Sequence, residues 1–340
     1  MKQCLSISIL FLCLVIAFAQ LDDAMVSQQG SADAYDILDV KRPSRFLAKS
    51  KPLSRIKRFT WKLHGWLIPL LHGFSAPNEV CVNLRVLWNK ALSAIDPSSP
   101  VYEHPHFFTF RLLPKYSRWI IRTLPRWMFP RWYHANIELR TAFLNRAIDK
   151  VLSDIHHHAK PNDTKIRLIL LGGGYDTKAI HLLALQKVQQ VWEFDLKEVV
   201  DFKRKLLSDR KLLVDSLSTA LQLIPIDLNQ PEDFRRVMLD MTTRNDDNSD
   251  PWYTIVVAEA IFLYLRPDIP ERLLQVCSDI FGAENICLCF ADRFIEIKSN
   301  TDKEVAKKWF STIGWRLDDW LSKDGATRHM GIAYPKMPFR

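Results

Sequence analysis

The sequence predicts an α/β domain built on a doubly wound parallel sheet, with helices ahead of it. Three observations carry this reading. From residue 165 onward, short apolar runs alternate with amphipathic stretches. That rhythm belongs to βαβ units whose sheet is covered on both faces. The run KIRLILL ends in Gly172, Gly173 and Gly174, and a helical pattern follows. Glycines at a strand-to-helix turn let the backbone approach a ligand where a Cβ would collide. About twenty residues later, where a doubly wound fold holds ribose hydroxyls, VWEFDL sets Glu193 and Asp195 at the end of a second apolar run.

The elements follow in order. Lys2 precedes an apolar run over residues 5–18, and Ala17-Phe18-Ala19 supplies a small-x-small cleavage pattern. The run is too short to span a bilayer comfortably. A cleavable signal peptide over 1–19 and entry to the secretory pathway are therefore expected. Residues 20–78 read as a basic leader or linker. Nine Lys or Arg and no acid lie between 41 and 62, which matches the whole net charge of +9. Basicity placed in a linker rather than on a folded face does not predict nucleic-acid binding. A signal followed by a basic, Ser-containing tract resembles the bipartite leaders of algae with complex plastids. The plain alternative is the pro-segment of a secretory protein. Residues 59–74 are apolar and carry Trp61 and Trp66. They read as a peripheral membrane contact or as a helix packed on the domain; Gly65, Pro69 and Gly73 break the helical period and favour packing.

Residues 79–160 read as a helical cap. One helix is expected over 83–95, stopped by DPSSP, and another over 135–157, where Ile137, Phe143, Ala147, Ile148 and Val151 recur near helical spacing. Between them, 116–133 is rich in arginine and carries Trp119, Trp127 and Trp132. A lid packing onto the core is favoured there over base stacking or a membrane interface. His156, His157 and His158 are adjacent, so on a helix they point in different directions. They read as a solvated helix end, and no metal site is expected.

From residue 161 the chain reads as the cofactor domain. Strands are expected at 166–171, 190–194, 221–226, 253–258 and 286–290, with helices at 177–186, 196–215, 231–241 and 267–280. Residues 245–250 form an acidic loop. Beyond the signal, the cysteines are Cys81, Cys277, Cys287 and Cys289. None has zinc-ligand spacing. Cys287 and Cys289 alternate on one strand and so share a face. A disulfide through Cys81 or Cys277 stays open. Asn162-Asp163-Thr164 is a glycosylation sequon, meaningful only in the secretory lumen.

Ligands bind at the carboxyl ends of strands in such a sheet. Four ends carry candidate groups: the glycines, Asp195, Asp227-Leu228 and Glu259. A carboxylate at 195 can accept two hydrogen bonds from a ribose diol. Glu193 lies on the same strand face, as an assistant or a support. Asp227 reads either as an acceptor for an adenine amino group, with Leu228 packed on the ring, or as a turn residue before a helix. A nicotinamide dinucleotide is disfavoured because Thr177 stands where GxGxxG needs Gly or Ala; a P-loop is excluded because no GxxxxGK[ST] occurs. S-adenosyl-L-methionine fits a looser glycine turn.

The ordered set LGGGYDT, FDLKEVVDFKRKLL, IPIDLNQPEDF and VVAEAIFLYL resembles the leucine carboxyl methyltransferase family, over residues 140–274 with a weaker extension back to 87. The resemblance implies a Rossmann-like methyltransferase sheet with a helical N-terminal cap, and S-adenosyl-L-methionine as cofactor. It implies methyl transfer to a carboxylate or hydroxyl oxygen of a small molecule or a protein C terminus. Arg140 matches the arginine that binds the methionine carboxylate, a task suited to a bidentate guanidinium. Gly172, Gly173, Gly174 and Asp176 match the first loop, Asp195 the ribose acid, Asp227 and Leu228 the adenine pair, and Glu259 the acid after the fourth strand. Tyr264 matches the aromatic that follows it and is the one catalytic candidate; no general base is identified. Lys178 replaces an arginine of the pattern, and His104-Pro105 replaces an Asp-Pro. The family's N-terminal lysine contact finds no definite position, and the segment after 291 matches poorly. A monomer is expected. The rival reading is a non-catalytic binding protein that kept the fold.

Overall fold

The computed structural model describes residues 78–102, 108–123, 131–158, 164–212, 219–245, 251–297, 302–321 and 328–336. The signal, the basic leader, residues 59–74, Trp127, the sequon's Asn162-Asp163 and most of the acidic loop lie outside them. The chain begins with four helices, α1 (Asn78–Ala94), α2 (Phe108–Leu112), α3 (Lys115–Thr123) and α4 (Arg131–His158). Strands and helices then alternate: β1 (Lys165–Leu171), α5 (Lys178–Ala184), β2 (Gln190–Asp195), α6 (Lys197–Asp209), β3 (Leu221–Pro225), α7 (Pro231–Asn245), β4 (Trp252–Glu259), α8 (Ile269–Phe281) and β5 (Ile286–Asp292). The chain then runs through α9 (Lys303–Thr312), β6 (Trp315–Trp320) and β7 (His329–Pro335). Among the described residues no helix is long and apolar enough to cross a membrane.

One seven-stranded sheet results, ordered β3-β2-β1-β4-β5-β7-β6. β1 to β5 run parallel, while β7 lies antiparallel to both β5 and β6. Side-chain alternation divides the apolar residues into two layers. Leu168 and Leu170 join Leu84 and Leu87 of α1 and Phe143 and Ile148 of α4. Ile169 and Leu171 face the other way, with Phe234 of α7 and Leu273 of α8. The N-terminal helices thus share a core with the sheet. Each buried leucine contributes about 1.5–3 kcal/mol, so the helices are held by many such side chains. Cys287 and Cys289 lie on the α1/α4 side, and all four described cysteines are free thiols.

Register sets the site. Leu171 pairs with Phe194 and with Ala258, Asp195 with Pro225, and Glu259 with Ala291. The glycine loop, Asp195, Asp227 and Glu259 therefore leave the sheet along one edge. Arg167, toward the amino end of β1, is fully buried. Its guanidinium lies 4.2 Å from the Trp192 ring centroid and 4.7 Å from that of Trp252, and Nε donates to Gln190 Oε1 at 2.8 Å.

Three differences from the sequence expectation have physical causes. Helix α6 ends at Asp209 rather than 215, because Lys211 turns left-handed at φ 50° and its N–H returns to the Ser208 carbonyl. Helix α5 ends at Ala184, two residues early, because Gln186 does the same at φ 55°. No glycine marks either stop. The hairpin β6–β7 and helix α9 were not anticipated, since the segment after 291 lacks the βαβ rhythm. WRLDDW does carry edge-strand alternation, with Arg316 and Asp318 exposed. Gly331 lets the hairpin close: a Cβ there would lie 2.6 Å from the Asp319 carbonyl, beside the register shift at Leu317/Asp319.

Candidate functional site

The loop after β1 is shaped first by the protein itself. Gly172 has φ +67°, and its N–H donates to the Phe194 carbonyl at 2.8 Å. A Cβ at Gly172 would lie 2.7 Å from Ile261, and one at Gly173 would lie 2.8 Å from Glu193 Oε2. At Gly174, with φ +48°, a Cβ would meet Asn83 Oδ1 of α1. Ligand approach is the reason for glycine that the sequence suggests at these positions. The structure supplies a nearer one: neighbouring side chains already fill the space above and below the loop.

Asp195 anchors the same loop. Its Oδ2 accepts from Gly174 N at 2.7 Å and its Oδ1 from Leu196 N at 2.8 Å. Burial pushes the carboxyl up, against these two N–H groups and Lys203. Each oxygen keeps a further lone pair for a hydroxyl donor. Asp227 is exposed and Leu228 buried. Asp227 Oδ1 accepts from Asn229 N at 2.9 Å and Asn229 Nδ2 at 3.1 Å, which is the turn arrangement set against the adenine role.

At the ends of β1 and β4 lies a charged network. Glu259 Oε1 takes Arg140 Nη2 at 3.1 Å and Nε at 3.2 Å. Its Oε2 takes Lys90 Nζ at 2.8 Å, and the same ammonium reaches Asp176 Oδ2 at 2.5 Å. Burial opposes charge on Asp176, but Lys178 and Lys90 prevail and hold it well below the usual carboxylate range. Burial likewise opposes charge on Glu259, and Lys90 and Arg140 keep it below its ordinary value. Lys178 also reaches Asn145 at 3.0 Å. Under the loop, Lys203 of α6 pairs with Glu193 and donates to the Asp176 carbonyl at 2.7 Å. Burial pushes Glu193 up to about 7, against the pull of Lys203. Glu193 is thus a support below the loop.

Tyr264 is 63% exposed, in a short 3-10 turn beyond β4. That turn hangs on Asp292, whose Oδ2 accepts from Ile261 N at 2.6 Å and Phe262 N at 2.9 Å. Ala260, between Glu259 and this turn, is a non-glycine residue at φ 55°.

Sequence reasoning missed Lys90, Lys203 and Asp292. A signal existed for both lysines. Lys203 falls on the stripe formed by Val199, Val200, Leu206 and Leu207, and Lys90 on that of Leu87, Ala91 and Ala94. A lysine on an apolar stripe needs a buried partner. Asp292 ends an apolar run as Glu259 does, one strand over.

Two other features bear on the chemistry. Ser93 Oγ lies 2.7 Å from His134 Nδ1, and Glu138 Oε2 lies 3.7 Å from that same nitrogen. A nucleophilic relay needs serine and acid on opposite ring nitrogens, so this buried cluster joins α1 to α4 instead. A cavity of about 200 Å³, lined by Lys90, Thr109, Asn145, Asp176, Lys178 and His181, adjoins the charged network. Among the described residues no group of His, Cys, Asp or Glu could hold a metal ion.

The strand order, with five parallel strands and an antiparallel seventh inserted beside β5, defines a Rossmann-like, doubly wound methyltransferase sheet. Four helices precede the sheet in the chain. Residues 121–278 match the model of the leucine carboxyl methyltransferase family, the family that the sequence motifs resemble. No curated protein matches the chain. Among solved structures, the chain is similar to the mitomycin 7-O-methyltransferase MmcR, at 14% identity over 59% of this chain and 56% of that one, with a TM-score of 0.34. The match thus spans little more than half the length of that enzyme. It is similar to a point mutant of MtNAS in complex with S-adenosylmethionine, at 14% identity over 81% and 78%, with a TM-score of 0.37. It is also similar to an O-methyltransferase family protein from Burkholderia thailandensis, at 12% identity over 77% and 73%, with a TM-score of 0.33. The matched model is that of a methyltransferase family, and the strand order fits such a sheet.

The residues present fit S-adenosylmethionine. Arg140 and Lys90 beside Glu259 offer two cations and one anion. That set complements the carboxylate and ammonium of a zwitterionic amino acid. Asp195, at the end of β2 on the other side of β1, suits a ribose diol.

Proposed function

We propose that the protein is an S-adenosylmethionine-dependent O-methyltransferase, acting on a carboxylate or hydroxyl of a small molecule or of a protein C terminus. One observation carries the reading: the Arg140–Glu259–Lys90 charge set and Asp195 leave the same edge of the sheet, on either side of the glycine loop. When bound, the cofactor supplies a methyl group carried on positively charged sulfur. Arg140 and Lys90 hold the methionine carboxylate, and Glu259 holds the ammonium. Asp195 accepts the ribose hydroxyls, Gly172, Gly173 and Gly174 shape the loop between them, and Asp227 and Leu228 take the adenine side. These residues fix the reactive end, so that rate comes from alignment. A carboxylate acceptor arrives ionised and needs no base. A hydroxyl acceptor needs a proton acceptor within hydrogen-bond reach, and Tyr264 is the exposed group that follows Glu259.

The sequence supports further parts of this proposal. A signal peptide over 1–19, a basic leader over 20–78, a helical cap over 79–160 and a cofactor domain over 161–340 are proposed, with a secretory or complex-plastid destination. Membrane contact through 59–74 and a monomeric state belong to the same reading.

The test is calorimetric titration of S-adenosylhomocysteine into the protein, followed by a screen with labelled methyl groups. Micromolar binding and label in a base-labile ester, or in a base-stable ether for a hydroxyl acceptor, would support the proposal. Binding without transfer to any acceptor would favour a non-catalytic binding protein. No binding by folded protein would overturn the cofactor assignment.

A further inference from the structure

We propose that Lys203 is a positioning residue that latches the glycine loop to the strand beneath it and so sets cofactor affinity; this rests on the cofactor reading above. Lys203 stands on α6 and is 1% exposed. Its ammonium serves two acceptors from different elements, the Asp176 carbonyl at 2.7 Å and the Glu193 carboxylate. Asp176 is the far end of the loop. Gly173, nearer its start, rests on Glu193, with room for no Cβ. One ammonium therefore ties the far end of the loop to the carboxylate that supports its near end.

Two contacts depend on the loop staying at that height. Gly174 N donates to Asp195 at 2.7 Å, which orients the carboxylate assigned to the ribose. The Asp176 side chain holds Lys90 at 2.5 Å, which places a cation at the methionine end. Lys203 touches neither half of the ligand site; it acts through residues 173–176. An ammonium suits the position because it has three donors on a stem that crosses the apolar face of α6 between Val199, Val200, Leu206 and Leu207.

Lys203→Met alone would strand Glu193 as an unpaired buried acid, so the informative comparison is Glu193→Gln against Glu193→Gln/Lys203→Met. Both lack the carboxylate, and the double variant further removes the buried ammonium together with its bonds to the Asp176 carbonyl and to the side chain at position 193. The readouts are S-adenosylhomocysteine affinity by calorimetry and hydrogen–deuterium exchange along the chain. The double variant is expected to bind about tenfold more weakly and to exchange faster over residues 172–177, with the strands protected as before. Equal affinity and equal loop exchange would overturn the latch, leaving Lys203 a counter-charge for Glu193. Faster exchange throughout the sheet would also overturn it, in favour of a general stability role. Wild-type protein that fails to bind S-adenosylhomocysteine would remove the cofactor reading, while loop exchange would still decide the latch.

Discussion

Arg140 Nη2 lies 3.1 Å from Glu259 Oε1, across 119 positions of sequence. The pair joins α4 to the end of β4, and Lys90 of α1 closes on the other carboxylate oxygen. Two cations thus share one acid at the edge of the sheet. A ligand carboxylate would engage the same cations, and a ligand ammonium the same acid.

Arg140→Ala should therefore weaken S-adenosylhomocysteine binding at least tenfold, since a charged hydrogen-bond partner contributes about 1.5–3 kcal/mol. Methylthioadenosine lacks the amino-acid end, and its binding should change far less. Calorimetry with both ligands separates the effects. Equal losses for the two would show that Arg140 acts through the fold rather than on the methionine carboxylate.

Asp195→Ala should also cost at least tenfold in affinity, and here both ligands should suffer alike because both carry the ribose. Unchanged calorimetric affinity in a folded variant would remove Asp195 from the ribose role.

Gly173→Ala tests the packing beneath the loop. Its Cβ would lie 2.8 Å from Glu193 Oε2, against a carboxylate fixed by Lys203. Overpacking of this kind costs about 1–3 kcal/mol. Denaturant unfolding should show that loss; wild-type stability would mean that the loop can lift off Glu193 freely.

Acid should weaken the fold through His329. Its Nδ1 accepts from Phe294 N at 3.1 Å, and the ring stacks against Phe294 and Trp320. Burial, then Arg293 and Arg328, lower its pKa from 6.5 to about 4. The neutral ring is the folded form. This contribution is complete above the unfolded value and is lost as pH falls through the folded one. His329→Gln keeps an acceptor without the titration, so its unfolding free energy should fall less steeply between pH 6.5 and 4. Identical slopes would assign the acid sensitivity to other groups.

Much of this fold was legible because its signals are local. KIRLILLGGG announces a buried strand and a turn, and the strand ends at Asp195 and Glu259 follow from apolar runs that stop at an acid. The lysines of the network were harder to read. Lys90 and Lys203 resemble solvated helix residues until their place on an apolar stripe is noticed, and their partners lie on other elements. The left-handed stops at Gln186 and Lys211 carry no glycine, so the sequence gives them no mark.

Local patterns in the sequence specify a doubly wound α/β architecture and the residue types at the strand ends. Period and turn chemistry act over a few neighbours, and a single chain displays them directly. Which charges meet is set by how the elements pack. Lys90 joins Asp176 to Glu259, Lys203 joins Glu193 to the glycine loop, and an antiparallel strand enters beside β5. Such pairings depend on strand order and helix docking, which bring distant residues within a few ångströms and exclude the water that would otherwise solvate each charge.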